Sequence, residues 1–107
     1  MLYKFKSKAA GDVIMTSVVG DAILKLAGRE PSNQGIFTTA QMPAVIAALE
    51  AAVIDDERHR AEAEAEARAE GRTLAPREGI TLRQRAWPLV EMLKRSQAEG
   101  QDVVWGV

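Results

Sequence analysis

The sequence has no cysteine among its 107 residues and only one histidine, His59. The missing thiols exclude disulfides, thiolate zinc sites, iron–sulfur clusters and cysteine nucleophiles. Aromatic residues make up only 5% of the chain, although hydrophobic residues make up 47%, so we expect a modest core without a large cavity. No hydrophobic run approaches a membrane span, and the first residues lack the apolar core of a signal peptide. The default expectation is a cytoplasmic protein without a cofactor.

The charge is low overall but unevenly distributed. Charged residues make up 27% of the chain and the net charge is −1, so no global field attracts nucleic acid or anionic lipid. Residues 55–70 hold seven acidic residues against three arginines, a local charge of −4 with His59 neutral. This segment stands out from the rest of the chain.

Periodicity predicts three strands and three helices. Strict alternation indicates a strand at 2–6, whose lysines suit an exposed edge, and shorter patterns indicate strands at 12–16 and 102–106. Helical spacing and capping signals predict helices over about 17–27, from Thr38 to Glu70, and from Thr81 to Gly100, the last kinked or split by Pro88. We therefore expect an α+β fold, with a small three-stranded sheet covered by about three helices, the second of them long.

The long helix has two different halves. Its first half carries large apolar residues at helical spacing, whereas residues 55–70 are alanine, glutamate and arginine around His59. We expect one domain over 1–107, in which 55–70 is a charged helical extension and 71–79 is a linker between glycines. The extension projects into solvent, breaks near Asp55 and Asp56, or packs on a partner.

The helix face 55–66 is the sharpest candidate for metal chemistry. Asp55, His59 and Glu62 follow at spacings of four and three, so they share one side of the helix and could ligate a divalent metal in a bundle. The competing interpretation is a solvated surface with supporting ion pairs. Because a metal site needs converging ligands from a second element, the solvated surface is the preferred interpretation.

A second candidate is a small-ligand site. Loop 28–35 offers Ser32, Asn33 and Gln34 as hydrogen-bonding groups, but it lacks the spacing of a phosphate-binding or dinucleotide motif. Arg83 and Arg85 precede Trp87-Pro88, where an arginine either bonds carbonyls freed by the proline or clamps a partner carboxylate. The structural alternatives, a turn-rich connection and a bonded kink, need no ligand.

A third candidate is a weak nucleic-acid surface. The basic residues fall into two groups, which would have to converge to hold a phosphate backbone: Lys4, Lys6 and Lys8 on the first strand, and Arg77, Arg83, Arg85, Lys94 and Arg95 near the last helix. Since few aromatic residues accompany them, solvated charge is the preferred interpretation and we do not expect a nucleic-acid partner.

Several stretches together resemble one known family of small bacterial proteins, catalogued as domain of unknown function number 1840. They are MLYKFKS at 1–7, GDVIM at 11–15, the helix start at Met42-Pro43, LRQRAWPLVEML at 82–93 and VVW at 103–105. The resemblance covers almost the whole chain, and residues 55–70 are its least characteristic part. It implies a compact cytoplasmic protein and transfers no activity or site residue.

The thin catalytic inventory and the solvated extension favour a non-enzymatic protein. We expect an interaction or self-assembly module that forms a homo-oligomer or binds a protein partner, away from membranes. The alternatives are a ligand- or metal-binding protein that uses loop 28–35 or face 55–66, and a weak nucleic-acid binder.

Overall fold

The computed structural model describes residues 1–75 and 79–106. Its elements in chain order are β1 (Leu2–Ser7), β2 (Ala10–Thr16), α1 (Ser17–Leu26), β3 (Gly35–Phe37), α2 (Met42–Ala69), α3 (Leu82–Glu99) and β4 (Val103–Trp105). The predicted α+β class, the three predicted strands and the long second helix are confirmed. Residues 76–78, within the predicted linker, and Val107 lie outside the described residues.

The sheet has four antiparallel strands in the order β2-β1-β4-β3, one strand more than predicted. The additional strand is β3, where Gly35 pairs with Trp105 and Phe37 with Val103. Three residues are too few to show the alternation on which a strand prediction depends. The order also places β1 inside the sheet, so its lysines do not protect an edge, contrary to the expectation.

The two faces of the sheet differ because opposite residues share a face. Tyr3 and Phe5 lie opposite Met15 and Val13 and belong to the core with residues of all three helices. Lys4 lies opposite Ile14, and Lys6 opposite Val104, on the outer face. The largest fully buried side chains include Trp105, Phe5, Phe37, Ile23, Leu24, Met42, Leu49, Leu89 and Leu93.

Helix α2 is unbroken for 28 residues. Its buried residues up to Val53 face the core, and beyond Val53 only Ala67 is buried among the described residues. The following chain turns back beside the helix, since the Arg72 N–H donates to the Ala67 carbonyl at 2.8 Å and Arg60 Nη2 donates to the Ala75 carbonyl at 2.7 Å. The helix therefore does not break near Asp55 and Asp56, and the longest dimension of the molecule is 51 Å.

Helix α3 begins after Thr81, where the capping signals predict its start, and Thr81 and Gln84 form a capping box. The Gln84 N–H donates to Thr81 Oγ1 at 3.2 Å, and the Thr81 N–H donates to Gln84 Oε1 at 3.0 Å. The helix continues through Pro88 rather than splitting there. None of the helices in the described part of the chain is long and apolar enough to span a membrane.

Candidate interaction surface

In the loop predicted to bind a ligand, Ser32 makes hydrogen bonds within the protein. The Ser32 hydroxyl donates to the Gln34 carbonyl at 2.9 Å, and the Ser32 carbonyl accepts the indole N–H of Trp105 at 2.9 Å. Asn33 and Gln34 are exposed. Ligand binding at this loop stays a prediction, and the contacts of Ser32 assign it a structural role.

Arg29, which no sequence pattern singles out, connects the segments at this end of the sheet. Its Nη1 donates to the Ile36 carbonyl at 2.8 Å and its Nη2 to Gln41 Oε1 at 3.1 Å. The guanidinium carbon lies 4.7 Å from the ring centroid of Phe37 and 5.7 Å from that of Trp105, within the range of cation–π attraction. A single arginine in a loop carries no periodic signal that would reveal this arrangement.

Arg83 and Arg85 lie in different surroundings. Arg83 donates through Nε and Nη2 to the carboxylate of Glu57, at 2.9 and 3.0 Å, and its guanidinium carbon lies 4.7 Å from the ring centroid of Trp87. These hydrogen bonds raise the pKa of Arg83 above its ordinary value. Arg85 is exposed and lies beside Ile80. No hydrogen bond among the described residues joins either arginine to loop 28–35, so the predicted ligand residues do not form one site there.

The predicted metal residues lie on the exposed side of α2. His59 Nδ1 lies 3.8 Å from Asp55 Oδ2, Asp55 also pairs with Arg58, and Glu62 Oε1 lies 3.9 Å from Arg58 Nε. Within residues 1–75 and 79–106 no group of three or more metal-ligating side chains converges. The metal site stays a prediction that the geometry does not support.

The basic residues are spread over different sides of the molecule. Lys4 and Lys6 lie on the outer face of the sheet, whereas Lys94 lies against α2, where its Nζ bonds Glu50 Oε2 at 3.1 Å. Arg77 lies outside the described residues. The lysines of the described residues are thus divided between two sides, and nucleic-acid binding stays a prediction.

The two edges of the sheet are protected to very different degrees. β3 has only three residues, and Arg29 already bonds the carbonyl of its central residue, Ile36. β2 has seven residues, AGDVIMT, with Asp12 as the single charge and no lysine, arginine or proline. Among the described residues, only β1 hydrogen-bonds to the main chain of residues 11–15. The pairing of β2 with β1 is regular from Val13 to Thr16 and shifts register between Val13 and Ala10. Natural proteins normally block a regular free edge, so Val13 to Thr16 form the candidate pairing segment of this sheet.

A groove runs between β2 and α3 along this free edge. It consists of two adjoining depressions of about 540 and 420 Å³ that share Val13 and Pro88. Arg85 and Met15 line one end, and Glu91 lines the other. The groove places the side chains of α3 directly behind the free strand.

Exposed apolar side chains surround the same edge. Ile14 on the outer face is 54% exposed, Val18 at the start of α1 is 78% exposed, and Ile80 beside the groove is 60% exposed. Single exposed apolar residues are common, but several of them around one free edge make that edge a candidate interaction surface. We name the β2 edge, its groove and these side chains the β2 surface.

Comparison with known proteins places the chain in a family. No curated protein and no solved structure matches it. The model of a family described as Domain of unknown function (DUF1840) matches residues 1–105. Because the match covers almost the entire chain, this protein belongs to the DUF1840 family.

Proposed function

We propose that this protein is a self-assembling module in which two copies join edge to edge through β2. The observation that carries the proposal is the edge strand β2, which has one charged side chain and pairs regularly with β1 from Val13 to Thr16. An extended chain that adds to such an edge gains main-chain hydrogen bonds, and its alternate side chains gain contacts on each face. The proposed activity is binding rather than catalysis.

The sequence of β2 supports a second copy as the occupant. In a two-fold symmetric pair the strands run antiparallel, and opposite residues must share a face. If the axis passes at Ile14, the two Ile14 side chains meet on the outer face. Val13 of each copy then meets Met15 of the other on the inner face. The apolar residues of β2 therefore match themselves, which is what an isologous interface requires.

The register also separates the charges of the two strands. Asp12 comes opposite Thr16, which avoids a like-charge contact. An axis at Val13 would place Asp12 opposite Ile14 instead and would bury less apolar surface.

The mass of the protein in solution tests this proposal. We expect native mass spectrometry and light scattering to show a dimer that dissociates on dilution, and we expect Ile14→Lys to be monomeric at the same concentrations. The matched control is Ile36→Lys, since Ile36 is also an exposed isoleucine on an edge strand, 41% exposed. The control should remain dimeric. A monomeric wild type, or equal dissociation of both variants, would overturn the proposal.

A further inference from the structure

Two charged residues of α3 face the proposed dimer axis from opposite ends of the groove. Arg85 lies in the depression that contains Met15 and Thr16, and Glu91 lies in the one that contains Ala10 and Gly11. Helix α3 therefore runs antiparallel to β2, with Pro88 between the two charges and shared by both depressions. The middle of this helix lies at the level of the middle of the strand.

The cations of α3 differ in what they already bind. Arg83 and Lys94 are engaged by carboxylates of α2. Arg85 and Glu91 are exposed, and neither has an ion pair or side-chain hydrogen bond to any residue in the described part of the chain. Both therefore lie on the side of the helix that borders the free edge, where Arg95 also lines the depression of Glu91.

A two-fold axis at Ile14 brings these charges together. The axis exchanges the Thr16 end of one strand with the Ala10 end of the other, so Arg85 of one copy comes to the end where Glu91 of the partner copy lies. We propose that Arg85 and Glu91 form two symmetric ion pairs between the α3 helices of the dimer and thereby fix its antiparallel register. This inference rests on the proposed function and adds a helical layer to that strand interface.

Charge reversal tests these ion pairs, because the two-fold symmetry makes each substitution appear in both contacts of the dimer. In a dimer of Arg85→Glu, each of the two contacts between the helices joins two glutamates. In a dimer of Glu91→Arg, each contact joins two arginines. Each variant alone should therefore dimerise on the order of tenfold more weakly than the wild type. When the two variants are mixed, each contact again joins an arginine to a glutamate. We expect the mixture to form a one-to-one heterodimer, resolved by native mass spectrometry after isotopic labelling of one variant.

The double variant Arg85→Glu/Glu91→Arg exchanges the two charges in every chain. Each contact between the copies then joins a glutamate to an arginine again, so this variant should recover the homodimer. Circular dichroism and thermal unfolding of each variant establish that the monomers are folded. If the reversals leave the dimer unchanged while Ile14→Lys dissociates it, the ion pairs are wrong and the strand interface stands. If both single variants dissociate and mixing restores nothing, the proposed contact is also wrong. A monomeric wild type overturns both proposals.

Discussion

Arg83 of α3 holds Glu57 of α2 with two parallel hydrogen bonds, at 2.9 and 3.0 Å, while its guanidinium carbon lies 4.7 Å from the ring centroid of Trp87. One side chain thus ties the two long helices together at the point where α2 leaves the core. A lysine offers a point charge in place of this planar fork.

Replacement of Arg83 should lower the melting temperature by a few degrees. We expect Arg83→Ala to lose the ion pair and the ring contact, and Arg83→Lys to recover only part of the loss. The difference from the wild type should shrink at high salt, because both partners are substantially exposed. Thermal unfolding at low and high ionic strength measures the difference in melting temperature. Arg95→Lys is the control for an exposed arginine of α3. Equal melting of wild type and Arg83→Ala would contradict the assignment.

Gly20 of α1 is a site where local and tertiary effects oppose each other. Alanine in a helix interior normally stabilises by about 1 kcal/mol relative to glycine. A Cβ at Gly20, however, would overlap the ring of the buried Tyr3, and overpacking a core costs about 1–3 kcal/mol or more. We expect Gly20→Ala to be destabilising in denaturant titration. The control is Gly11→Ala, where the added atom meets nothing within 4 Å, and it should be nearly neutral. If Gly20→Ala is more stable than the wild type, the Tyr3 ring moves aside at little cost and the expectation is wrong.

The free energy of unfolding should fall at alkaline pH because of the titration of Tyr3. Its hydroxyl donates to Asp21 Oδ1, and this hydrogen bond, with burial and the nearby negative charge, raises the pKa of Tyr3 above its ordinary 10.0. The folded protein therefore keeps the tyrosine proton at pH values where the unfolded chain loses it. This contribution is fully present below pH 10.0 and is lost as the pH rises through the folded pKa.

The variant Tyr3→Phe isolates that contribution. At neutral pH it should be less stable by about 1 kcal/mol, because it loses the hydrogen bond to the partly buried Asp21. The difference between wild type and variant should narrow as the pH rises above the unfolded pKa of tyrosine. Urea unfolding at neutral and alkaline pH measures the difference in free energy of unfolding between wild type and variant. Since the lysines titrate in both proteins, their effect cancels in this difference. A difference that stays constant with pH would contradict the raised pKa.

Local signals predicted the elements well, because their causes are local. The capping box of Thr81 and Gln84 and the alternation from Leu2 to Lys6 both appear in the structure where the pattern indicates. The expectation about strand edges was wrong because the order of strands depends on long-range pairing. β1 became an inner strand when β4, from the other end of the chain, paired with it.

The candidate surface was even less visible in the sequence. Nothing local distinguishes Val13 to Met15 as an edge, and the groove exists only because α3 packs beside that strand. Arg29 was missed for the same reason, since its contacts with Ile36 and Trp105 join separate segments. A sequence without periodic or motif signals at such positions cannot reveal them before the fold is known.

Removal of the tip of the charged extension should leave both the fold and the assembly intact. The hydrogen bond from Arg60 to the Ala75 carbonyl shows that these residues lie side by side, so residues 61–74 can be replaced by a Gly-Gly linker. Only Ala67 is buried within that segment, and the burial of one methyl group contributes about 0.8 kcal/mol. We expect a loss of stability of about 1 kcal/mol or less.

The same deletion separates the β2 surface from the extension as the place of self-association. If two copies join through β2, the shortened protein should remain dimeric and should dissociate on dilution at the same concentration as the wild type. The matched comparison is Ile14→Lys in the full-length chain, which keeps the whole extension and should be monomeric. A shortened protein that is folded by circular dichroism yet monomeric by light scattering would mean that the extension holds the copies together. The pairing surface would then lie on the solvated half of α2 and not on the edge of the sheet.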